Sequence, residues 1–330
     1  MRLRAGLCAL LFSGVALAAD PSPKPYGSRP DVRAFVQEMV RRHGFVEGEL
    51  IFAFSRARRV AAALKAIAPP PAERARSWTE YRAVFVNDRR IEAGLEFWRQ
   101  HGPALARANR EYGVPEEVIV AILGVETYYG RNVGRWRVID TLTTLAFDYP
   151  PRAEFFRGEL ENYLLFARAS GTDVFSVRGS YAGAIGIPQF MPGSYLKFAV
   201  DFDGDGHVDL RANPADAVGS VANFLKQHGW RPGGTVALAA EIQGNAYRSY
   251  ADGNVLPQHA LDELAKAGIA SRPAAAAGSL KAALIELETP GQASEYRLGF
   301  ENFYVLTRYN RSSFYAAAVA DLAAALRAAR

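Results

Sequence analysis

The chain has 330 residues, 49% of them hydrophobic and 22% charged, with a formal net charge of +5. That balance excludes wholesale disorder and a polytopic membrane protein, and the length holds one large domain or two to three smaller ones. The positive excess falls to +3 once Arg2 and Arg4 are set aside and forms no dense basic block, so it gives no argument for nucleic acid as a partner.

Residues 1–19, MRLRAGLCALLFSGVALAA, place two arginines before an apolar run from Ala5 to Leu17. They close on the small-x-small triplet Ala16-Leu17-Ala18, the pattern of a cleavable signal peptide. The run falls short of the roughly 20 residues a membrane span needs. Leu7, directly before Cys8, does not suit a lipid-bearing cysteine. Cleavage leaves a mature chain without cysteine, hence without a disulfide or a thiol nucleophile.

Residues 20–30, rich in proline and polar side chains, read as a leader. Asp31 is the expected N-cap of a helix over VRAFVQEMVRRH, ended by Gly44. SRARRVAAALKAIAPPPAERARSW reads as a helix broken at Pro69 to Pro71, and DRRIEAGLEFWRQHGPALARANREYG as one or two more. GVPEEVIVAILGVETYYG opens on Pro115 and two acids, then is apolar on nearly every side, the mark of a buried helix. Helical patterns continue through AEFFRGELENYLLFARAS, PGSYLKFAV and NPADAVGSVANFLKQHG. After Trp230 the texture changes: TVALAAEI, AALIELE and FYVLTRY are rich in β-branched and aromatic residues between Gly and Pro turns, so a small sheet is expected at about 235–298. SSFYAAAVADLAAALRAAR closes the chain as an amphipathic helix.

The loop DFDGDGHVDLRA fits a twelve-residue calcium loop of the EF-hand type. Asp201, Asp203 and Asp205 take positions 1, 3 and 5, Gly206 the turn at 6, the His207 carbonyl position 7, and Asp209 position 9. Ala212 stands where a bidentate Glu belongs, and Asp216 is the candidate replacement unless it caps the following helix. One such loop, in a chain with 3 Met, argues for a structural clamp rather than a calcium sensor.

Glu126 is the single carboxylate at the end of the apolar run, and a Glu there is paired, exposed at a helix end, or held protonated for proton transfer. GSYAGAIGIPQF adds Ser180, Tyr181 and Gln189 on a glycine-rich stretch, and NFYVLTRYNRSSFY adds Tyr304, Tyr309, Asn310 and Tyr315. Amides, hydroxyls and aromatic faces are what a sugar chain requires. Ser180 lacks a G-x-S-x-G elbow, and the histidines lack H-E-x-x-H spacing, which argues against a serine triad and against zinc hydrolysis.

GVPEEVIVAILGVETYYGR, GSYAGAIGIPQFMPGSY, DFDGDGHVDLRANPADAVGSVANFLKQHGW and NFYVLTRYN, in this order, resemble the lytic murein transglycosylase B family. The resemblance spans the mature chain, most weakly over residues 231–297. It implies a mainly α protein: a lysozyme-like catalytic core with a helical N-terminal domain and a small β-containing subdomain. The expected organisation is a signal peptide 1–19, a helical N-terminal domain 20–100, a core 101–234 with the calcium loop 201–212, a small subdomain 235–297 and a C-terminal segment 298–330 returning to the core.

The resemblance also implies cleavage of the β-1,4 bond between N-acetylmuramic acid and N-acetylglucosamine without water, leaving 1,6-anhydromuramoyl ends. Glu126 would act as acid and then base, with the substrate's own N-acetyl group as internal nucleophile. Ser180, Tyr181, Gln189, Tyr128, Tyr304, Tyr309, Asn310 and Tyr315 would line the cleft, with Tyr309 the first choice for orienting the acetamide or Glu126. The family has another aromatic in place of Tyr128 in many members. Calcium would be structural and the chain a monomer in the periplasm of a Gram-negative bacterium, meeting glycan strands and, among proteins, other cell-wall enzymes. A muramidase on the same fold and a non-catalytic murein-binding scaffold are the rivals.

Overall fold

The computed structural model describes residues 25–68, 77–272 and 280–330. The expected signal peptide and Pro69 to Pro71 lie outside the described residues. The chain divides into two compact units, Met1–Arg56 and Ala57–Arg330.

In the first unit, α1 (Pro30–His43) and α2 (Glu47–Arg56) follow a short turn at Tyr26–Ser28. α1 buries Val32, Phe35, Val36 and Met39, the i, i+3, i+4, i+7 stripe of an amphipathic helix. Phe35 meets Phe54 of α2 edge-on with centroids 6.0 Å apart. The N-cap is Arg29 rather than Asp31, because Pro30 with its fixed φ takes the first helical position. Asp31 falls inside the first turn, where it accepts from the Arg29 guanidinium at 2.7 Å. Gly44 ends the helix at φ 65°.

The second unit opens with α3 (Ala61–Ile67), α4 (Trp78–Phe85), α5 (Asp88–Gln100), α6 (Gly102–Tyr112) and α7 (Glu116–Thr127). Ser77 and Asn87 cap α4 and α5 by accepting from the N–H groups of Glu80 and Arg90. α7 is buried from Val118 to Val125, as its all-round apolar sequence requires. A ribbon of β1 (Trp136–Arg137) and β2 (Arg178–Gly179) brackets α8 (Val138–Asp148) and α9 (Ala153–Ala169). α10 (Pro192–Phe198) and α11 (Pro214–Gln227) flank the acidic loop.

A five-stranded antiparallel sheet follows, from β3 (Ala237–Ile242), β4 (His259–Ala260), β5 (Ile269–Arg272), β6 (Lys281–Leu287) and β7 (Glu295–Gly299), in the order β4-β6-β7-β3-β5. The short α12 (Leu261–Lys266) lies between β4 and β5. Leu261, Leu264, Ile269, Leu284, Leu298 and Phe300 form the subdomain's own core. FYVLTRY is not a strand: it lies within α13 (Glu301–Tyr309), where Asn302, Phe303, Val305, Leu306 and Thr307 are buried and tertiary packing overrides β propensity. α14 (Ser313–Ala329) closes the chain.

α4 and α5, which the sequence reading assigns to an N-terminal domain ending at 100, pack on α14, and α5 also on α7, all within the second unit. A charge network fixes this arrangement. Half-buried Arg297 of β7 donates to both oxygens of Asp321 on α14 at 2.6 and 3.0 Å and to Glu295, while Arg82 of α4 reaches the same Asp321 at 2.6 Å. Glu295 also accepts from the Trp78 indole at 2.9 Å.

Candidate active site

Glu126 sits in the last turn of α7, with residues on either side of it buried. Two consecutive left-handed residues, Tyr128 at φ 53° and Tyr129 at φ 60°, then turn the chain sharply away, leaving Glu126 at the helix end. Such backbone is uncommon for residues with a Cβ and needs outside support. The Tyr128 hydroxyl donates to the Arg89 carbonyl at 3.1 Å and Tyr129 to the Arg90 carbonyl at 2.9 Å. Arg90 donates to the Gly124 carbonyl and lies 4.8 Å from the centre of the Tyr128 ring, which Arg131 also approaches at 5.0 Å. Gly124 is required in mid-helix because a Cβ there would stand 2.7 Å from the Tyr129 ring. Thr127 ties the helix end to the glycine-rich loop, its hydroxyl donating to the Ile187 carbonyl at 2.8 Å.

Against Glu126 the structure places Tyr315, whose hydroxyl donates to Oε1 at 2.6 Å. Tyr309 stacks on Tyr315 with rings 12° from parallel and centroids 6.3 Å apart. Its own hydroxyl goes to the Pro188 carbonyl at 2.6 Å. The phenol that holds the acid is therefore Tyr315 and not Tyr309, which instead braces the loop 186–190. Burial pushes the Glu126 carboxyl up to about 7, against a smaller downward pull from the Tyr315 hydrogen bond. Both phenols are themselves raised well above their ordinary value, first by burial and then by the neighbouring Glu126 charge, so they stay protonated donors. No cation is paired with Glu126 among the described residues.

Gln189 occupies a left-handed position at φ 53°. Its amide nitrogen donates to Gly186 at 2.8 Å and Val133 at 3.2 Å, which leaves the amide oxygen to act as an acceptor. The Ser180 oxygen accepts from the N–H groups of Ala182 and Ala184, so its first task is to close the turn, and its proton remains available to donate. Tyr181 and Asn310 are exposed and Tyr304 is half-buried, beside Arg308; no contact joins these three to Glu126. Thr127, Arg90 and Pro188 were not singled out in the sequence. Only Thr127, next to the acid on a buried helix, carried a signal that could have found it.

In the acidic loop, Asp201, Asp203 and Asp205 each bring a carboxylate oxygen within 4.8 Å of the others, a hard-oxygen set that fits calcium. Asp201 folds the loop by accepting from Gly204 and Gly206 at 2.7 and 2.8 Å, and those backbone bonds hold its carboxyl below the usual range. Exposed His207 donates its backbone N–H to Asp205. Asp209 and Asp216, both expected as ligands, do not join the cluster. Asp209 pairs with Arg211 at 3.3 Å and caps the next turn. Asp216, fully buried, accepts from Phe202 at 2.7 Å and Asp209 at 2.8 Å, latching the two ends of the loop together. Tyr195 supports the same loop through the Val208 carbonyl at 2.8 Å.

A half-buried acid at a helix end, faced by a glycine-rich loop and by stacked tyrosines, fits a carbohydrate-cleaving site of the lysozyme-like class. The transglycosylase SLT domain family matches residues 27–324. The chain is 41% identical over 318 residues to membrane-bound lytic murein transglycosylase B of Escherichia coli K12, covering 92% of this chain and 85% of that protein. It superposes on soluble lytic transglycosylase SltB1 of Pseudomonas aeruginosa with a TM-score of 0.85 at 48% identity, covering 91% of this chain and 99% of that one. The E. coli lytic transglycosylase Slt35 in complex with calcium gives a TM-score of 0.80 at 41% identity, covering 92% and 94%. The chain belongs to the SLT-domain lytic transglycosylases and is a peptidoglycan lytic transglycosylase.

Proposed function

We propose that Glu126 alone carries the acid and base steps of a water-free cleavage between N-acetylmuramic acid and N-acetylglucosamine. Protonated Glu126 donates to the glycosidic oxygen as the C1–O4 bond breaks. The substrate's acetamide oxygen supports C1 as an oxazolinium-type intermediate. The carboxylate then takes the proton of the muramoyl C6 hydroxyl, whose oxygen closes on C1 as the C1 bond to the acetamide oxygen breaks. This gives the 1,6-anhydro end and restores the acetamide and the protonated acid. The observation that carries this reading is the pairing of one acid, poised at about 7, with a single phenol donor. A group near neutrality serves both halves of such a cycle. A two-carboxylate glycosidase would need a second acid at a set separation, and none among the described residues perturbs Glu126.

Gln189 through its amide oxygen and Ser180 through its hydroxyl would position the acetamide and neighbouring hydroxyls, with Tyr128, Tyr181, Tyr304, Tyr309 and Asn310 along the strand's path. Asp201, Asp203, Asp205 and the His207 carbonyl would hold a structural calcium ion, as the calcium-bound neighbour supports. Calcium would neutralise three crowded carboxylates and fix the loop between α10 and α11. Residues 1–19 would direct a monomeric enzyme to the periplasm. Among the described residues no helix is long and apolar enough to cross a membrane.

Mass spectrometry of the products released from purified peptidoglycan tests the mechanism. Muropeptides one water lighter than hydrolytic ones, absent with Glu126→Gln, are expected. Reducing ends would make the enzyme a muramidase, and no release would make the chain a binding protein.

A further inference from the structure

The loop that presents Gln189 is held at several points, and its exit is held by an acid that the reaction does not use. Ile185 and Phe190 close the loop by exchanging both backbone bonds, at 2.8 and 3.1 Å. Between them the Ile187 carbonyl accepts from Thr127 and the Pro188 carbonyl from Tyr309. At the exit the sequence supplies no local anchor: Met191, the N-cap of α10, makes no side-chain cap bond, and Pro192 has no N–H to give. The first N–H of α10 is that of Gly193, and it donates to Oε2 of Glu159 on α9 at 2.8 Å. Glu159 is half-buried, and no cation pairs with it among the described residues. Burial raises its carboxyl, and the Gly193 N–H pulls the other way. The fit is close: a Cβ on Gly193 would stand 3.1 Å from Oε1 of Glu159 and 2.9 Å from the Asn162 amide nitrogen, so the glycine lets α10 close on α9.

We infer that Glu159 is a positioning residue for the cleavage: by gripping Gly193 from a separate helix, it fixes the exit of the loop and so the place of Gln189. The inference rests on the role given to Gln189 above. An enclosed carboxylate without a cation is costly, and a nearby apolar side chain would pack α9 against α10 without that cost. What an apolar side chain cannot do is accept the N–H that follows the loop. Gln189 needs such support because it sits at φ 53°, a backbone that a residue with a Cβ keeps only where its surroundings hold it. Thr127 supplies the hold from α7 and Glu159 supplies it from α9, on the two sides of Gln189 in the chain. With the second hold gone, the loop relaxes from its exit and carries the amide oxygen away from the acetamide it is to orient.

The test is a double-mutant cycle on kcat/KM, read as the shortening of soluble glycan strands by chromatography, which counts broken bonds whether their ends are anhydro or reducing. Glu159→Met fills the space but accepts no hydrogen bond, and should lower kcat/KM about 10-fold. Glu159→Gln keeps an acceptor oxygen for Gly193 and should stay within about twofold of the native protein. In a Gln189→Ala background, Glu159→Met should cost less than about twofold more, since the residue it acts through is gone. Should Glu159→Met not fold, Gly193→Ala, whose methyl group displaces the same carboxylate, takes its place in the cycle. Native kcat/KM in Glu159→Met, an equal loss in Glu159→Gln, or a full further loss of about 10-fold in the Gln189→Ala background would each overturn the inference. Native kcat/KM in Gln189→Ala would remove the role of Gln189 and this inference with it. A slow Gln189→Ala beside a native-like Glu159→Met would leave that role standing and overturn this inference alone.

Discussion

Glu126 leaves a signature in stability as well as in rate. Its carboxyl titrates at about 7 in the folded protein against 4.5 for the free side chain, because burial penalises the charge more than the Tyr315 hydrogen bond favours it. Between those pH values the native state holds a proton that the unfolded chain has released, so stability falls as pH rises through the window and levels off above it. Two and a half units at about 1.4 kcal/mol each come to about 3 kcal/mol. Glu126→Gln keeps the shape and cannot ionise, so its stability relative to the native protein should rise by about that amount between pH 4 and pH 8. Urea unfolding of both proteins across this range reads the difference directly, since titrations elsewhere in the chain cancel. A difference that stays flat with pH, or that shrinks as pH rises, would refute the enclosure of the acid and with it the basis of its double role.

Tyr315→Phe removes the one hydrogen bond that favours the carboxylate, so the alkaline limb of the kcat–pH profile should move upward by about one unit while the rate at the optimum falls; a fixed or downward limb would contradict the 2.6 Å contact. Asp203→Ala should lower the Tm in calcium-containing buffer and abolish the rise in Tm that calcium produces in the native protein; unchanged melting with no calcium response in either would sink the metal assignment. Gly124→Ala drives a methyl group into the Tyr129 ring and should destabilise by about 1–3 kcal/mol in chemical denaturation, despite alanine's better helix propensity. Arg297→Met removes the guanidinium that grips both Asp321 oxygens, leaves Asp321 to Arg82 and the exposed Glu295 to the Trp78 indole, and should cost about 1–2 kcal/mol by the same measurement.

The parts of this molecule that were legible in the sequence are those encoded by neighbours in the chain. The buried helix α7 announced itself through apolar residues on every face, and the lone acid at its end stood out for that reason. Alternating Asp and Gly from 201 to 206 encode a loop whose turn and carboxylates are all local, and the structure brings Asp201, Asp203 and Asp205 together. What the sequence left undetermined depends on residues distant in the chain. Asp216 lies at the right spacing to be a ligand, yet its two oxygens meet N–H groups from both ends of the loop, a closure visible only once the loop is folded. Tyr309 is the first choice on paper, yet it is Tyr315 whose hydroxyl meets the acid. The break between α13 and α14 decides which hydroxyl faces the acid; Ser312 marks it locally by capping α14 through the Tyr315 N–H, and packing of α14 against α4, α5 and α7 sets the helix's direction from there. The same holds for the support behind it: Arg82, Arg297 and Asp321 are 24 to 239 positions apart in sequence and converge on one carboxylate. Glu126 is thus specified locally, whereas the phenol that tunes it is delivered by a fold-wide clamp, so substitutions far from the cleft that loosen the clamp should alter the acid's titration before they alter its position in the chain's own helix.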